Sequence, residues 1–248
     1  MKFAKIFLFS TILLSVMNCA ELFQSDKKEN NDALYALLLN AGCTISDVSS
    51  PTSGRKIDFT ACRGDANAAL AASGLSSSSV SLSAGLVGTG SSSTIYSNAS
   101  SLSSLGGEKK ASIEIVYVLS QGDSSIDAIL PSTTNLSGPG FHIMPTSVNK
   151  ITSNGGNSAF GGISPTPWAS SVSSEKSLCL EVHQENSGAH ILGWASSCAL
   201  AIRGTYQFDE DGVTADFGGD RIGLRINKAT IKSITIYSSH IGTSLSIQ

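Results

Sequence analysis

Charge is scarce in this chain. Asp, Glu, Lys and Arg make up 14% of its 248 residues, against about 25% in an ordinary soluble protein. The formal net charge is −3, so no basic field draws nucleic acid, and that class of partner is excluded. No apolar run approaches the roughly 18 residues that a membrane-spanning helix needs. There is no CxxC and no paired-histidine zinc spacing, no H-E-x-x-H, no G-x-S-x-G elbow and no repeat of fixed period. Their absence removes zinc ribbons, zincins, serine hydrolases of the elbow type and solenoids from consideration. With so few charges, hydration must come from Ser, Thr, Asn and the 24 Gly. Apolar residues at 41% are too many for a chain disordered throughout, and the length allows one large all-β domain with a substantial core.

The first nineteen residues, MKFAKIFLFSTILLSVMNC, have a plan of their own. Lys2 and Lys5 give a positive start, Ile6 to Met17 is almost unbroken apolar sequence, and Cys19 follows at once. A core of about twelve residues is the length of a secretion signal. A Cys at its end resembles bacterial lipoprotein signals, where the thiol is acylated and the chain is cut just before it; Asn18 fits the looser spirochaetal type. Met17 and Asn18 depart from the stricter pattern, which wants small residues there. The resemblance implies a signal peptide over 1–18, lipid on Cys19 and a membrane partner held through that lipid. Residues 19–31 are polar and charged and read as a solvated tether. Ala20 is not the Asp that retains many such proteins in an inner membrane, which implies the outer membrane and the cell surface.

Setting Cys19 aside leaves Cys43, Cys62, Cys179 and Cys198, an even number in an export context. Four cysteines allow three connectivities; the simplest is local, Cys43–Cys62 and Cys179–Cys198.

Residues 32–75 are expected to form a short helical and disulfide-bonded segment. Asp32 to Ala41 is a strong helix former stopped by Gly42. Arg55 to Ala61 reads as a strand. Arg63-Gly64-Asp65 is an integrin-type tripeptide, but Asp65 also heads DANAALAAS and reads as a helix N-cap. From Ser76 onward the pattern is β. Ser112 to Leu119 is apolar on both faces and should be central. Strands are expected at Leu178 to Gln184, His190 to Trp194, Thr205 to Phe208 and Val213 to Phe217, with Asp211-Gly212 as a hairpin turn between the last two. Arg221 to Tyr237 should be two strands joined at Asn227 to Ala229. Ser147 to Ser174 reads as a long surface loop.

About eleven short strands with no long helix after Gly74 predict an all-β antiparallel sandwich over 76–248. The run Gly219-Asp220-Arg221-Ile222-Gly223-Leu224-Arg225, followed by Ala229 to Tyr237, resembles the end of concanavalin A-like and laminin G-like jelly-roll sandwiches. That resemblance implies a last strand lying near the first, and a fold that serves glycan or host matrix-protein binding without a cofactor.

Glu181-Val182-His183-Gln184-Glu185 is the one stretch with a catalytic look, since the resemblance includes glycosidases with E-x-D-x-E on a strand. Glu181, His183 and Glu185 should share a face. However, retaining chemistry needs carboxyl groups about 5–5.5 Å apart, whereas four residues along a strand span about 13 Å. The expectation is therefore a non-catalytic binding or structural module with no metal, and Glu181, His183, Glu185 and Trp194 as the candidate ligand face. A carbohydrate-active hydrolase is the alternative. Asp209, Asp211, Asp216 and Asp220 form an acidic group of the ligand type calcium takes, without calcium-loop spacing.

The N-terminal pattern generates a direct expectation. Metabolic palmitate labelling of the exported chain should disappear in Cys19→Ser; label retained in that variant would show that Cys19 is not the attachment point.

Overall fold

A computed structural model describes residues 42–101, 103–105, 108–152, 155–161, 172–185, 188–214, 217–238 and 240–241. The signal, Cys19, the tether, the helix expected over 32–41, and Asp216 lie outside them. Seventeen strands fall within the described residues. In chain order they are β1 (Gly42–Val48), β2 (Gly54–Arg63), β3 (Leu75–Ser78), β4 (Val80–Leu82), β5 (Leu86–Gly88), β6 (Thr94–Ser97), β7 (Ser103–Leu105), β8 (Glu108–Leu119) and β9 (Ser125–Ser132). Then come β10 (Gly140–Ile143), β11 (Val148–Ile151), β12 (Asn157–Ser158), β13 (Glu175–Glu185), β14 (Gly188–Trp194), β15 (Phe208–Val213), β16 (Arg221–Asn227) and β17 (Ala229–Tyr237). Among the described residues one α-helix, α1 (Ala66–Ala72), sits between β2 and β3.

The strands make two antiparallel sheets. The larger runs β1-β2-β17-β8-β13-β14-β15, with β5 and then β4 added beside β17, and β7 beside β8; the smaller runs β12-β11-β10-β9-β16-β6-β3. This is the expected all-β sandwich with one short helix. The alternation of apolar residues decides which faces meet. Ile113, Ile115 and Tyr117 of β8 and Leu178, Leu180 and Val182 of β13 turn inward, against Ile126 and Ala128 of β9 and Leu224 and Ile226 of β16. All ten are fully buried. β8 lies between β17 and β13, central as its two apolar faces predict.

Both local disulfides are present, Cys43–Cys62 and Cys179–Cys198. In the chain-entropy model, loops of this size contribute about 3 kcal/mol each. Asp65 is the N-cap of α1, its carboxylate accepting from the Ala68 N–H at 3.1 Å. The middle of Arg63-Gly64-Asp65 is a left-handed Gly64, φ 85°.

Three expectations change. The sandwich does not start at Ser76: β2 pairs with β17 from Asp58↔Ser233 to Gly54↔Tyr237, and Ile57 and Phe59 are in the core. Residues 42–63 thus belong to the larger sheet. Asp211-Gly212 is not a hairpin turn. Ala189 pairs with Val213 and Ile191 with Glu210, so two steps on β14 face three on β15. The extra residue is a bulge, with Gly212 at φ 67° as the position only glycine enters freely. Finally, residues 147–174 are not wholly loop, because β11 and β12 extend the smaller sheet there. The last strand does lie beside early strands, pairing with β2 from Ser233 to Tyr237 and with β5 from Ala229 to Ile231.

A chain starting at Ser76 should therefore lack a cooperative thermal transition, while one starting at Ala41 should melt cooperatively. Equal cooperativity of the two would show that β1 and β2 are dispensable to the fold.

Candidate functional site

Residues Cys179, Glu181, His183 and Glu185 alternate with the core residues of β13 and project from the outer face of the larger sheet. They do share that face, but it is not open. After β14 the chain folds back across it from 195 to 207, through a turn of 3-10 helix at Cys198–Leu200. Cys179–Cys198 staples this cover to β13. Beneath it lies a second small core of Cys179, Leu192, Trp194, Cys198, Ala201, Tyr237 and Ile241. Thr205, expected in a strand, is part of the cover and turns back through its N–H to the Ile202 carbonyl.

Trp194 is therefore not a ligand-facing aromatic. It is 2% exposed, its indole N–H donates to the Ile202 carbonyl at 3.0 Å, and its ring lies 5.2 Å from that of Tyr206. The alternation that puts Trp194 on the outer face is correct; the cover that buries it comes from residues with no periodic pattern.

Glu181 has no exposed surface. Arg203, from the cover, grips it with two nitrogens, Nη2 at 2.9 Å from Oε1 and Nη1 at 3.4 Å from Oε2. The Ile241 N–H donates to Oε2 at 2.8 Å, and His240 Nδ1 sits 2.8 Å from Oε1. Burial would raise this carboxyl, but the imidazole of His183 beside it, the hydrogen bonds from His240 and Arg203, and the guanidinium charge outweigh it and hold Glu181 well below the usual carboxylate range. Lys110, at the sheet position opposite His183, places Nζ 2.5 Å from His240 Nε2. An ammonium only donates, so Nε2 accepts and the His240 proton is on Nδ1, facing Glu181.

His183 lies between two carboxylates: Nδ1 is 3.2 Å from Glu181 Oε1 and Nε2 is 3.1 Å from Glu185 Oε1. Desolvation lowers its basicity, but Glu181 and Glu185 outweigh this and push it up. The Nδ1 approach is an ion-pair distance without hydrogen-bond alignment, so Nδ1 is a buried nitrogen without a hydrogen-bond partner. Across the hairpin, His190 stands opposite His183, with Nδ1 3.2 Å from Glu185 Oε1 and Nε2 2.7 Å from Asp209 Oδ1. Two sets of donor atoms, Glu181/His183/His240 and His183/Glu185/His190, each lie within 4.8 Å of one another. They are the metal-capable groups among the described residues.

The structure thus joins Glu181, His183 and Glu185 to His190, Asp209, Arg203, Lys110 and His240, none of which the β13 stretch names. The His183–His190 pairing follows from the antiparallel register of β13 on β14. Nothing in the sequence announces Arg203 or His240, which arrive from separate segments. Among the described residues the acidic group at 209–220 does not converge: Asp209 serves His190, Asp211 accepts from the Gly212 N–H at 2.6 Å, and Asp220 pairs with Arg221 at 2.9 Å. His142 is elsewhere, with Nδ1 2.6 Å from Asp127 on the smaller sheet.

No protein-family model matches the chain, and no curated protein matches it. Solved structures of similar architecture include the carbohydrate recognition domain of Emp46p in its potassium-bound form, at 12% identity and TM-score 0.46, covering 68% of this chain and 90% of that one. The exoplasmic/lumenal domain of VIP36, in a Ca2+/Man-bound form, is 8% identical with TM-score 0.37, covering 69% and 84%. A Trypanosoma rangeli sialidase in complex with the inhibitor DANA is 7% identical with TM-score 0.37, covering 67% of this chain and 27% of that one. The class that the strands define is the antiparallel β-sandwich.

Removing one partner of a buried ion pair leaves an uncompensated charge, at a cost of about 3–5 kcal/mol, while an apolar pair of similar volume is often neutral. Arg203→Ala should lower the denaturant midpoint strongly. Glu181→Leu with Arg203→Met should recover most of that loss in the same equilibrium measurement; a double variant as unstable as Arg203→Ala would show that the pair itself contributes the stability.

Proposed function

We propose that this protein is an exported, lipid-anchored module of the outer membrane that binds an acidic glycan at the cell surface and does no chemistry on it. The N-terminal signal pattern and the two disulfides support export, since cystines persist in oxidising compartments. The non-catalytic reading rests on the fate of the acids. Glu181 is enclosed by Arg203, His240 and a backbone N–H, and Glu185 is tied to two imidazoles. Neither is a carboxyl group standing beside an open sugar subsite, so the hydrolase alternative loses its acid and nucleophile.

The observation that carries the ligand class is a pair of adjoining clefts of about 270 and 380 Å³ that share Arg55, Ser101 and Ile236. Asn98 lines one and Ser53 and Tyr237 the other. Arg55 is exposed, and among the described residues its guanidinium has no carboxylate partner. A free guanidinium is suited to a carboxylate or sulfate, in one plane and through two bonds. The surrounding hydroxyls and amide suit sugar hydroxyls, and Ile236 and Tyr237 give an apolar floor of the kind ligand sites use. The ligand thus seats beside β2 and β17 rather than on the Glu181 face.

A glycan array of matched neutral and acidic sugars, probed with the soluble domain, tests this. Binding confined to acidic glycans and weakened at least about tenfold in Arg55→Ala, the loss of one charge-assisted contact, is expected. No binding by the wild type, binding indifferent to Arg55→Ala, or turnover of the bound glycan would overturn the proposal.

A further inference from the structure

The geometry points to a divalent-metal site of zinc type on the outer face of the larger sheet, with His183 Nε2, His190 Nδ1 and Glu185 as ligands. It goes beyond the binding function above and does not depend on it. In a tetrahedral site with metal–ligand arms of about 2.0–2.1 Å, neighbouring donor atoms stand about 3.3–3.4 Å apart. Glu185 Oε1 is 3.1 Å from His183 Nε2 and 3.2 Å from His190 Nδ1. Those two edges are already within a few tenths of an ångström of that value, the two imidazole nitrogens lie within 4.8 Å of each other, and the three residues sit on the paired strands β13 and β14, whose register makes His183 and His190 direct partners.

The surroundings select this group over its neighbour. Metal-bound imidazoles hold their orientation by giving the other ring nitrogen to a carboxylate. His190 does so, with Asp209 Oδ1 2.7 Å from its Nε2, and at His183 the Glu181 Oε1 stands within ion-pair distance of Nδ1, at 3.2 Å. A metal on Nε2 fixes the His183 proton on Nδ1, which is the buried nitrogen that otherwise lacks a hydrogen-bond partner. Charge points the same way. Among the described residues Glu185 and Asp209 meet no lysine or arginine, only imidazoles, and two negative charges suit a dication. The Glu181/His183/His240 group faces Arg203 at 2.9 Å and Lys110 at 2.5 Å, two cations where a third would be repelled. Mixed imidazole and carboxylate donors suit zinc better than calcium, which takes oxygen alone.

Access also fits. Side-chain exposure rises from 8% at His183 to 20% at His190 and 35% at Glu185. Three protein ligands leave a fourth tetrahedral position for water or an oxygen donor of a ligand.

The test uses the folded, disulfide-intact chain after chelator treatment. Zinc is titrated by calorimetry, and cobalt is added as a coloured probe whose visible absorption reports tetrahedral coordination. One zinc per chain is expected, with a tetrahedral cobalt spectrum. Glu185→Gln and His190→Ala should abolish tight binding, and Asp209→Asn should weaken it about 10–100-fold through His190. His240→Ala should leave affinity within about twofold, since that ring belongs to the other group. Circular dichroism and a thermal melt of each metal-free variant separate lost ligands from lost fold. Absence of saturable zinc binding by the wild type, tight binding retained in folded Glu185→Gln and His190→Ala, or loss in His240→Ala comparable with theirs would overturn the assignment.

Discussion

Glu181 is a carboxylate removed from water, and the outer side of the larger sheet is arranged around that one constraint. A buried charge costs several kcal/mol unless it is paired and its lone pairs are filled. The pairing requires Arg203, which requires the segment from 195 to 207 to lie across the sheet. The backbone bond from Ile241 requires the chain after β17 to return to the same place. The Cys179–Cys198 bond ties the cover to the strand it covers. Trp194, Tyr206 and Ile241 then fill the space between, so an ionic centre and a small apolar core support each other.

The consequence is a division of the sheet face into two zones. Around Glu181 the carboxylate is matched by the Arg203 guanidinium and the groups are closed off. Toward the Glu185 end of β13 the cover ends, Glu185 and His190 reach solvent, and among the described residues the carboxylates there meet only imidazoles. The hairpin bulge at Asp211-Gly212 matters in this setting. The extra residue shifts the register so that Asp209 pairs with Leu192 and its carboxylate meets His190. A regular ladder through that point would not hold the same register.

The clefts beside β2 and β17 are chemically different. They are lined by hydroxyls, an amide and a guanidinium that meets no carboxylate among the described residues, over an apolar floor. Cys43–Cys62 restrains β1 and β2, and β2 supplies Arg55. Each cystine thus bonds a strand that supplies one of the two candidate sites, β2 or β13, and the clefts draw on residues far apart in the chain.

Strand identity was legible in the chain by itself, because a period of two in apolar residues needs no partner to be recognised. β8, β13, β14 and β17 all follow from it, as does the shared face of Glu181, His183 and Glu185. The even cysteine count with local spacing likewise anticipated both cystines, and Asp65 announced its helix cap through local chemistry. Whether the outer face met water was not legible, since burial there depends on an irregular cover at 195–207 that has no periodicity. For the same reason Trp194 reads as exposed and is not. The convergence of Arg203, His240 and Lys110 on β13 could only be decided in three dimensions. Hydrogen-bond and ion-pair partners are selected by distance in space, and these three lie tens of residues from the strand that they serve.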